Sequence, residues 1–274
     1  MREAAWLEQT ASCVAGCTAG VARVLIGHPF DTLKVLRQTG SREPLPKIAL
    51  FRLYRGCGPP LISASLYSSA AFTIYEGVAK EVSHSRSFVA GMVAGAVLAV
   101  PTCPLSNFQV LQQTSSHQRS VVQWAAKLRQ WGLAGFFRGF VPHFLQGSLG
   151  RGCYMAGYDL LKTAEDRFHP EMSQSLTGKV CAACGAGVAG WIFTYPIDVA
   201  RSNLISDWKR ERYTGMLQTL QLLLHEGGLR RLYCGLAWTL LKAIPVAAVS
   251  LPAYDFVRQA ILESRLCGGG LLLA

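Results

Sequence analysis

Two short stretches carry the residues most able to do chemistry. Asp31 and Lys34 lie in HPFDTLK, and Asp198 and Arg201 lie in YPIDVAR, each at the end of a long apolar run. A carboxylate and a cation three residues apart share one helix face. In apolar surroundings such groups are costly unless they meet opposite charge, so each is a candidate for pairing outside its own turn. Lys242 is a third case, a cation inside LLKAIPVAAV. Two further pairs, Asp159 with Lys162 and Asp255 with Arg258, follow tyrosines in YDLLK and YDFVR. The chemistry on offer is reversible ion pairing rather than bond making. No nucleophile and base stand together, and His28, His84, His117, His143, His169 and His225 share no motif. Cys181 and Cys184 form a CxxC without a second pair at zinc spacing. The nine cysteines read as small apolar fillers between helices. No metal, no cofactor and no enzymatic activity are assigned.

The elements that position these charges are helices of membrane length. Half of the 274 residues are apolar, more than an average soluble domain needs for its core. Residues 11–30, 57–75, 87–108, 140–158, 177–197 and 234–254 are each close to the roughly 20 residues that cross a hydrocarbon core. Arg23, Arg151 and Lys242 interrupt them, which points to a bundle interior or a water-filled cavity. The net charge of +11 does not indicate nucleic acid, because it follows the topology. Segments 34–55, 106–138 and 201–233 hold 16 of the 27 Lys and Arg. Such a bias orients helices with the basic loops on one side and both termini on the other. The opening MREAAWLEQT resembles neither a cleavable signal nor an Arg-rich transit peptide.

The charged stretches belong to a threefold repeat. HPFDTLK recurs as CPLSNFQ and YPIDVAR, with prolines at Pro29, Pro104 and Pro196. Small residues stand thirteen and nine positions before each: Gly16 and Gly20, Gly91 and Gly95, Ala183 and Gly187. That spacing lets helix backbones approach closely in a membrane. LYRG, FFRG and LYCG end at Gly56, Gly139 and Gly235, and an acid follows a tyrosine twenty residues later at Glu76, Asp159 and Asp255. Only the interval from proline to glycine varies, at 27, 35 and 39 residues. The expected fold is an all-α membrane protein: six transmembrane helices, in three two-helix repeats, forming a pseudo-threefold bundle around a central cavity. The repeats are placed at 1–86, 87–172 and 173–264, with a tail at 265–274. The prolines kink the odd helices. The charges after them then face the axis at the basic end, and the tyrosine-acid pairs gate the other end. Two gates around one cavity are what alternating access requires.

On these residues the chain resembles the mitochondrial carrier family, whose signature is Pro-x-Asp/Glu-x-x-Lys/Arg followed by an aromatic-Lys/Arg-Gly element, three times over. The resemblance covers nearly the whole chain. It implies a multi-pass protein of the mitochondrial inner membrane, matrix-facing basic loops with short surface helices, and transport or antiport of a small metabolite. Its matrix gate maps to Asp31, Lys34, Asp198 and Arg201, with Ser106 and Gln109 replacing acid and base in the second repeat. Cyclic pairing then leaves Asp198–Lys34 as the surviving ion pair, Asp31 opposite Gln109 and Arg201 opposite Ser106. Gln38 and Gln113 match the glutamine beneath the gate; Ile205 does not. The cytoplasmic gate maps to Glu76, Lys80, Asp159, Lys162, Asp255 and Arg258, with Ala79 where the first repeat should carry its base. The first matrix loop is the shortest, and its surface helix is expected to be missing or stunted.

Within the family, substrates meet one position per even helix, thirteen residues before the tyrosine-linked acid. Here these are Ser63, Gln146 with Gly147 beside it, and Lys242. KAIPVAAVSLPAYD, and Trp191 five residues before Pro196, resemble the carnitine/acylcarnitine and basic amino acid branch. That branch carries an Arg-acid pair where this chain has Gln146-Gly147. The expected cargo bears a carboxylate, an amino acid or acylcarnitine, with Lys242 as its cationic partner. Arg151 reads as structural, His143 as a hydrogen-bonded structural histidine and Trp191 as packing, and Arg23 is left between the cavity mouth and an acid partner. The expected partners are the metabolite and membrane lipid, with cardiolipin at the matrix-side helix ends, and the expected state is a monomer. The alternative is a degenerate carrier acting as a non-transporting binding or regulatory membrane protein.

Overall fold

Left-handed glycines and long apolar runs divide the chain into rods joined by tight turns. The computed structural model describes residues 2–40, 49–64, 86–115, 119–168, 171 and 175–269, and these contain no strand. The elements are α1 (Arg2–Gln38), α2 (Leu50–Leu53), α3 (Arg86–Thr114), α4 (Val121–Leu128), α5 (Leu133–Phe136), α6 (Phe140–Phe168), α7 (Leu176–Ser206), α8 (Met216–Leu232) and α9 (Leu236–Gly269). The second membrane helix begins at residue 58 and is described as far as residue 64. On composition alone, Ser87–Thr114 and Leu236–Ile261 are long and apolar enough to cross a bilayer. In α1 and α6, Arg23 and Arg151 dilute that apolar character.

First and last helices pack together, α1 against α9, and α6 packs against both α3 and α7. This joins the two ends of the chain and gives the ring its closure. Pro29, Pro104 and Pro196 lie inside α1, α3 and α7, which continue through them.

The threefold relation shows most directly at the turns of the basic end. Gly56, Gly139 and Gly235 have φ of +83°, +69° and +91°, a region where a Cβ is strained. Each turn also docks on the next repeat. A Cβ at Gly56 would lie 3.0 Å from the Gln109 carbonyl oxygen, and one at Gly235 would lie 3.0 Å from that of Lys34. Gly139 faces Leu204 and Ile205 of α7. The preceding arginine clamps the end of the same helix. Arg55 donates to the Ser115 carbonyl at 2.8 Å, and Arg138 to those of Leu204 and Tyr213 at 2.7 Å. A cation there satisfies carbonyls that a helix end leaves open. Burial pulls the Arg138 guanidinium below its usual pKa, against the opposing effect of Asp207. In the third repeat Cys234 replaces that arginine. The Arg37 carbonyl instead accepts from Arg231 at 3.3 Å and from the Cys234 thiol at 3.4 Å.

The basic loops follow the same order. Ser120 and Gln123 form a reciprocal capping box that starts α4. Gly132, with φ of +59°, precedes α5, and Gly228, with φ of +60°, kinks α8 at the equivalent place. In the first repeat α2 occupies the position of α5, while a surface helix would fall on residues 41–48, outside the described residues.

The small-residue spacing has two uses rather than the single one expected. In α3 it serves helix contact: a Cβ at Gly95 would lie 2.1 Å from the Gly147 carbonyl oxygen, and one at Gly91 would lie 2.7 Å from that of Arg151. In α1 and α7, by contrast, a Cβ at Gly16 or Gly187 would meet nothing within 4 Å, and both glycines line a cavity. Gly95→Leu should therefore separate α3 from α6 and lower the melting temperature of purified protein by several degrees. A shift of ~2–4 °C is expected per kcal/mol lost in a protein of this size. Gly16→Leu should leave the melt nearly unchanged. Equal shifts for the two variants would refute the distinction.

Candidate functional site

Below the proline of each odd helix, polar side chains converge on the axis. Asp198 is 4% exposed and is the most heavily engaged. Its Oδ2 lies 2.7 Å from Lys34 Nζ and accepts from Gln38 Nε2 at 2.7 Å. Its Oδ1 accepts from Gln146 Nε2 at 2.8 Å. A buried carboxylate is tolerable only with such partners. Lys34 Nζ also stands 4.7 Å from the centroid of the Trp191 ring, a cation–π contact that ties α1 to α7 a second time. Trp191 packs edge-on against Tyr195, so it both packs and holds a charge.

Arg201 Nη2 donates to Ser106 Oγ at 2.7 Å and reaches Asn107 Oδ1 at 3.4 Å. Asn107 in turn donates to the Phe136 and Arg138 carbonyls. The second repeat thus meets the charge of Arg201 with neutral oxygen atoms. Gln113 donates to Thr32 Oγ1 at 3.0 Å, and Thr32 donates to the Leu53 carbonyl at 2.7 Å. Nε2 of His28 donates to the Arg55 carbonyl at 2.9 Å.

One contact differs from the expected arrangement. Asp31 does not turn to Gln109; its Oδ1 lies 2.7 Å from Lys242 Nζ. The local cause is Gly27. A Cβ there would sit 3.1 Å from Lys242 Cδ, so the missing side chain leaves a notch through which the lysine stem crosses from α9 to α1. Among the described residues this layer therefore holds two ion pairs, not one. The side chains of Lys242 and Asp31 are 29% and 30% exposed, against 11% and 6% for those of Lys34 and Asp198, so the second pair is the more accessible.

Above this layer lies a cavity of about 690 Å³, in which Gln146, Gly147, Trp191 and Thr194 line the gate end and Tyr154 and Tyr254 stand further out. Gln146 bridges cavity and gate. His143 lines the cavity as well, with Nε2 held 3.0 Å from Thr102 Oγ1. Ser63, in contrast, donates to the Pro60 carbonyl of its own helix at 3.3 Å. Arg23 and Arg151 both lie on the cavity wall. The signal for both was their charge within an apolar span.

At the other end the engagement is different. Asp159 is exposed and accepts from Ser87. Among the described residues Asp255 and Arg258 form no ion pair, while Glu76 and Lys80 fall outside them. The polar layer is thus closed at the basic, proline end, with the cavity on its far side.

Comparison with known proteins agrees with this architecture. The sequence profile of the mitochondrial carrier protein family matches three times, at residues 5–86, 80–165 and 173–265. A mitochondrial basic amino acids transporter of Bos taurus is 33% identical over 89% of this chain and 90% of that protein. A mitochondrial carnitine/acylcarnitine carrier-like protein of Arabidopsis thaliana is 26% identical over 90% of this chain and 96% of that protein. A glutamate/glycine mitochondrial carrier of Schizosaccharomyces pombe is 27% identical over 94% of this chain and 97% of that protein.

Proposed function

The chain belongs to the mitochondrial carrier family, and from that membership we propose that it moves a small carboxylate-bearing metabolite, of the amino acid or acylcarnitine kind, by alternating access. It is a transporter of the mitochondrial inner membrane with the six-helix, pseudo-threefold carrier fold. The cargo assignment rests on one observation. Two of the three substrate-contact positions are themselves bonded to gate aspartates: Lys242 to Asp31 and Gln146 to Asp198.

That arrangement lets cargo act on the gate directly. A cargo carboxylate entering the cavity competes with Asp31 for the Lys242 ammonium, and an amine or quaternary ammonium on the same molecule can then face the released Asp31. One ion pair is exchanged for two, so the gate loosens without leaving a bare charge in a poorly solvated place. Ligand can shift a conformational equilibrium only by its differential affinity for the two states, and replacing a latch contact supplies such a difference. The related proteins carry, by their names, basic amino acids, glutamate and glycine, or acylcarnitines. All of these bear a carboxylate.

Reconstitution into liposomes tests the reading. Arginine, ornithine, glutamate, glycine, carnitine and acetylcarnitine are offered alongside agmatine and choline, which lack the carboxylate. Saturable uptake of at least one carboxylate, accelerated by preloading the vesicles, is the expected result. Agmatine or choline as the best cargo would overturn it. Binding without any flux would identify a degenerate carrier instead.

A further inference from the structure

A second recess, of about 450 Å³, lies at the basic end, apart from the cargo cavity. Its wall combines Thr114 at the end of α3, Arg119 before α4, Trp124 and Lys127 on α4, and Trp208 and Lys209 just after α7. The apolar span Ser87–Thr114 stops at this wall, so the recess stands at the edge of the hydrocarbon or beyond it. Each tryptophan carries a cation. The Arg119 guanidinium stands 5.1 Å from the centroid of the Trp124 ring, and Lys127 Nζ stands 4.8 Å from that of Trp208. The two rings meet edge-on with centroids 5.7 Å apart, which brings both cations to one place. Lys209 adds a third at the surface, 3.4 Å from Glu211.

Rings are weaker partners for these cations than an anion would be. A ring face offers only its quadrupole, whereas a phosphate offers full charge and several acceptor oxygens. Trp124 supplies a second sign. It is 1% exposed, and its indole N–H has no hydrogen-bond partner among the described residues. The wall thus includes a buried donor in need of an acceptor. Thr114 and Ser206, by contrast, donate their hydroxyl protons to carbonyls of their own helices, each at 2.8 Å.

The recess also joins two repeats, since α3 and α4 belong to the second and Trp208 and Lys209 to the third. Further back along α3 and α7 the gate holds these same repeats through Arg201 and the neutral Ser106 and Asn107. Resting on the carrier reading above, we infer that this recess binds a soluble phosphate-bearing anion, such as pyrophosphate or a phosphorylated metabolite, and that its occupant holds the transporter shut at the basic end. The phosphate oxygens accept from Arg119 and Lys127 of the second repeat and from Lys209 of the third. Alternating access requires the ends of α3 and α7 to part when the cavity opens at this end. An anion bound to both sides opposes that parting. It binds the closed state better than the open one, and that difference is what shifts the equilibrium.

Pyrophosphate is the probe, with chloride at equal ionic strength as the reference. Calorimetry on the purified protein should show saturable binding, and pyrophosphate at about ten times its Kd should raise the melting temperature by about 3 °C. Lys127→Gln and Arg119→Gln should each weaken binding at least about tenfold, while Lys127→Arg should keep most of it. Arg230→Gln, an equal change of charge on an exposed arginine outside the recess, should leave binding within about twofold. In proteoliposomes, pyrophosphate on both faces should slow uptake of the best carboxylate cargo at least about threefold. Lys127→Gln should remove that inhibition when each protein is compared with its own rate in chloride. Should Lys127→Gln fail to fold, Arg119→Gln on the other tryptophan carries the same test. Binding equal in Lys127→Gln and Arg230→Gln, or binding with no effect on uptake, overturns the proposal. Vesicles of phosphatidylcholine with and without phosphatidylglycerol address the other source of phosphate. If Lys127-dependent retention needs phosphatidylglycerol and pyrophosphate does not compete, a lipid headgroup fills the recess and the soluble ligand is refuted. Binding is read without cargo, so these outcomes leave the carrier reading untouched. Protein that binds pyrophosphate through Lys127 yet moves no carboxylate in chloride supports the site and refutes the carrier reading alone.

Discussion

Reversing Asp198 to lysine should reduce transport by two orders of magnitude or more, and combining it with Lys34→Asp should recover part of the loss. Asp198 accepts from Lys34, Gln38 and Gln146, three contacts between 2.7 and 2.8 Å, at 4% exposure. Removing one member of a buried ion pair typically costs 3–5 kcal/mol, because the survivor is left uncompensated. Here the reversal sets two ammonium groups against each other. The double exchange restores opposite charge across the α1–α7 contact. It does not restore the cation–π contact of Lys34 with Trp191, and both glutamines must turn their amides to present oxygen to the new lysine. Recovery should therefore be partial. Uptake in proteoliposomes, normalised to folded protein, is the measurement. A double exchange no better than either single change would show that the 2.7 Å contact does not govern the gate.

How much of this was legible in the sequence depends on which residue is asked about. The gate layer was legible because three registers repeat, and a repeat fixes both the helix turn and the face. Lys34–Asp198 and Arg201–Ser106 follow from that register together with the cyclic pairing that the family resemblance implies. Lys242–Asp31 does not, because the cation comes from an even helix and reaches its partner only through the notch at Gly27. A long lysine stem covers several ångströms beyond its backbone position, and spacing rules do not follow it. The small residues show the same limit. Gly91 and Gly16 stand at equivalent places, yet one meets a backbone and the other open space. Sequence marks where a close approach is permitted, and packing decides whether it occurs. Arg151 was hidden for a related reason. Its angular offset from Gln146 suggested another face, but Gly147 and Gly150 add no side chain to the wall, and the cavity extends around the helix to reach it.

The same distinction between permitted and realised contact governs Lys242. Lys242→Ala should nearly abolish uptake of carboxylate cargo, and it should also lower the melting temperature, because Asp31 loses its partner. With both groups about 30% exposed, the stability cost should fall between the ~1 kcal/mol of an exposed pair and the 3–5 kcal/mol of a buried one. These two effects have different origins, and a second substitution separates them. Asp31→Asn in the Lys242→Ala background removes the stranded carboxylate. Stability should then return toward wild type, since neither partner is left charged and alone. Transport should not return, because the cargo carboxylate still lacks its ammonium. Lys242→Arg, which keeps the charge with a bulkier head beside Gly27, should retain a measurable fraction. The decisive measurement is uptake by the double variant. If the Asp31→Asn, Lys242→Ala protein carries carboxylates at the wild-type rate, Lys242 is only the structural partner of Asp31, and the anionic end of the cargo must be recognised elsewhere in the cavity.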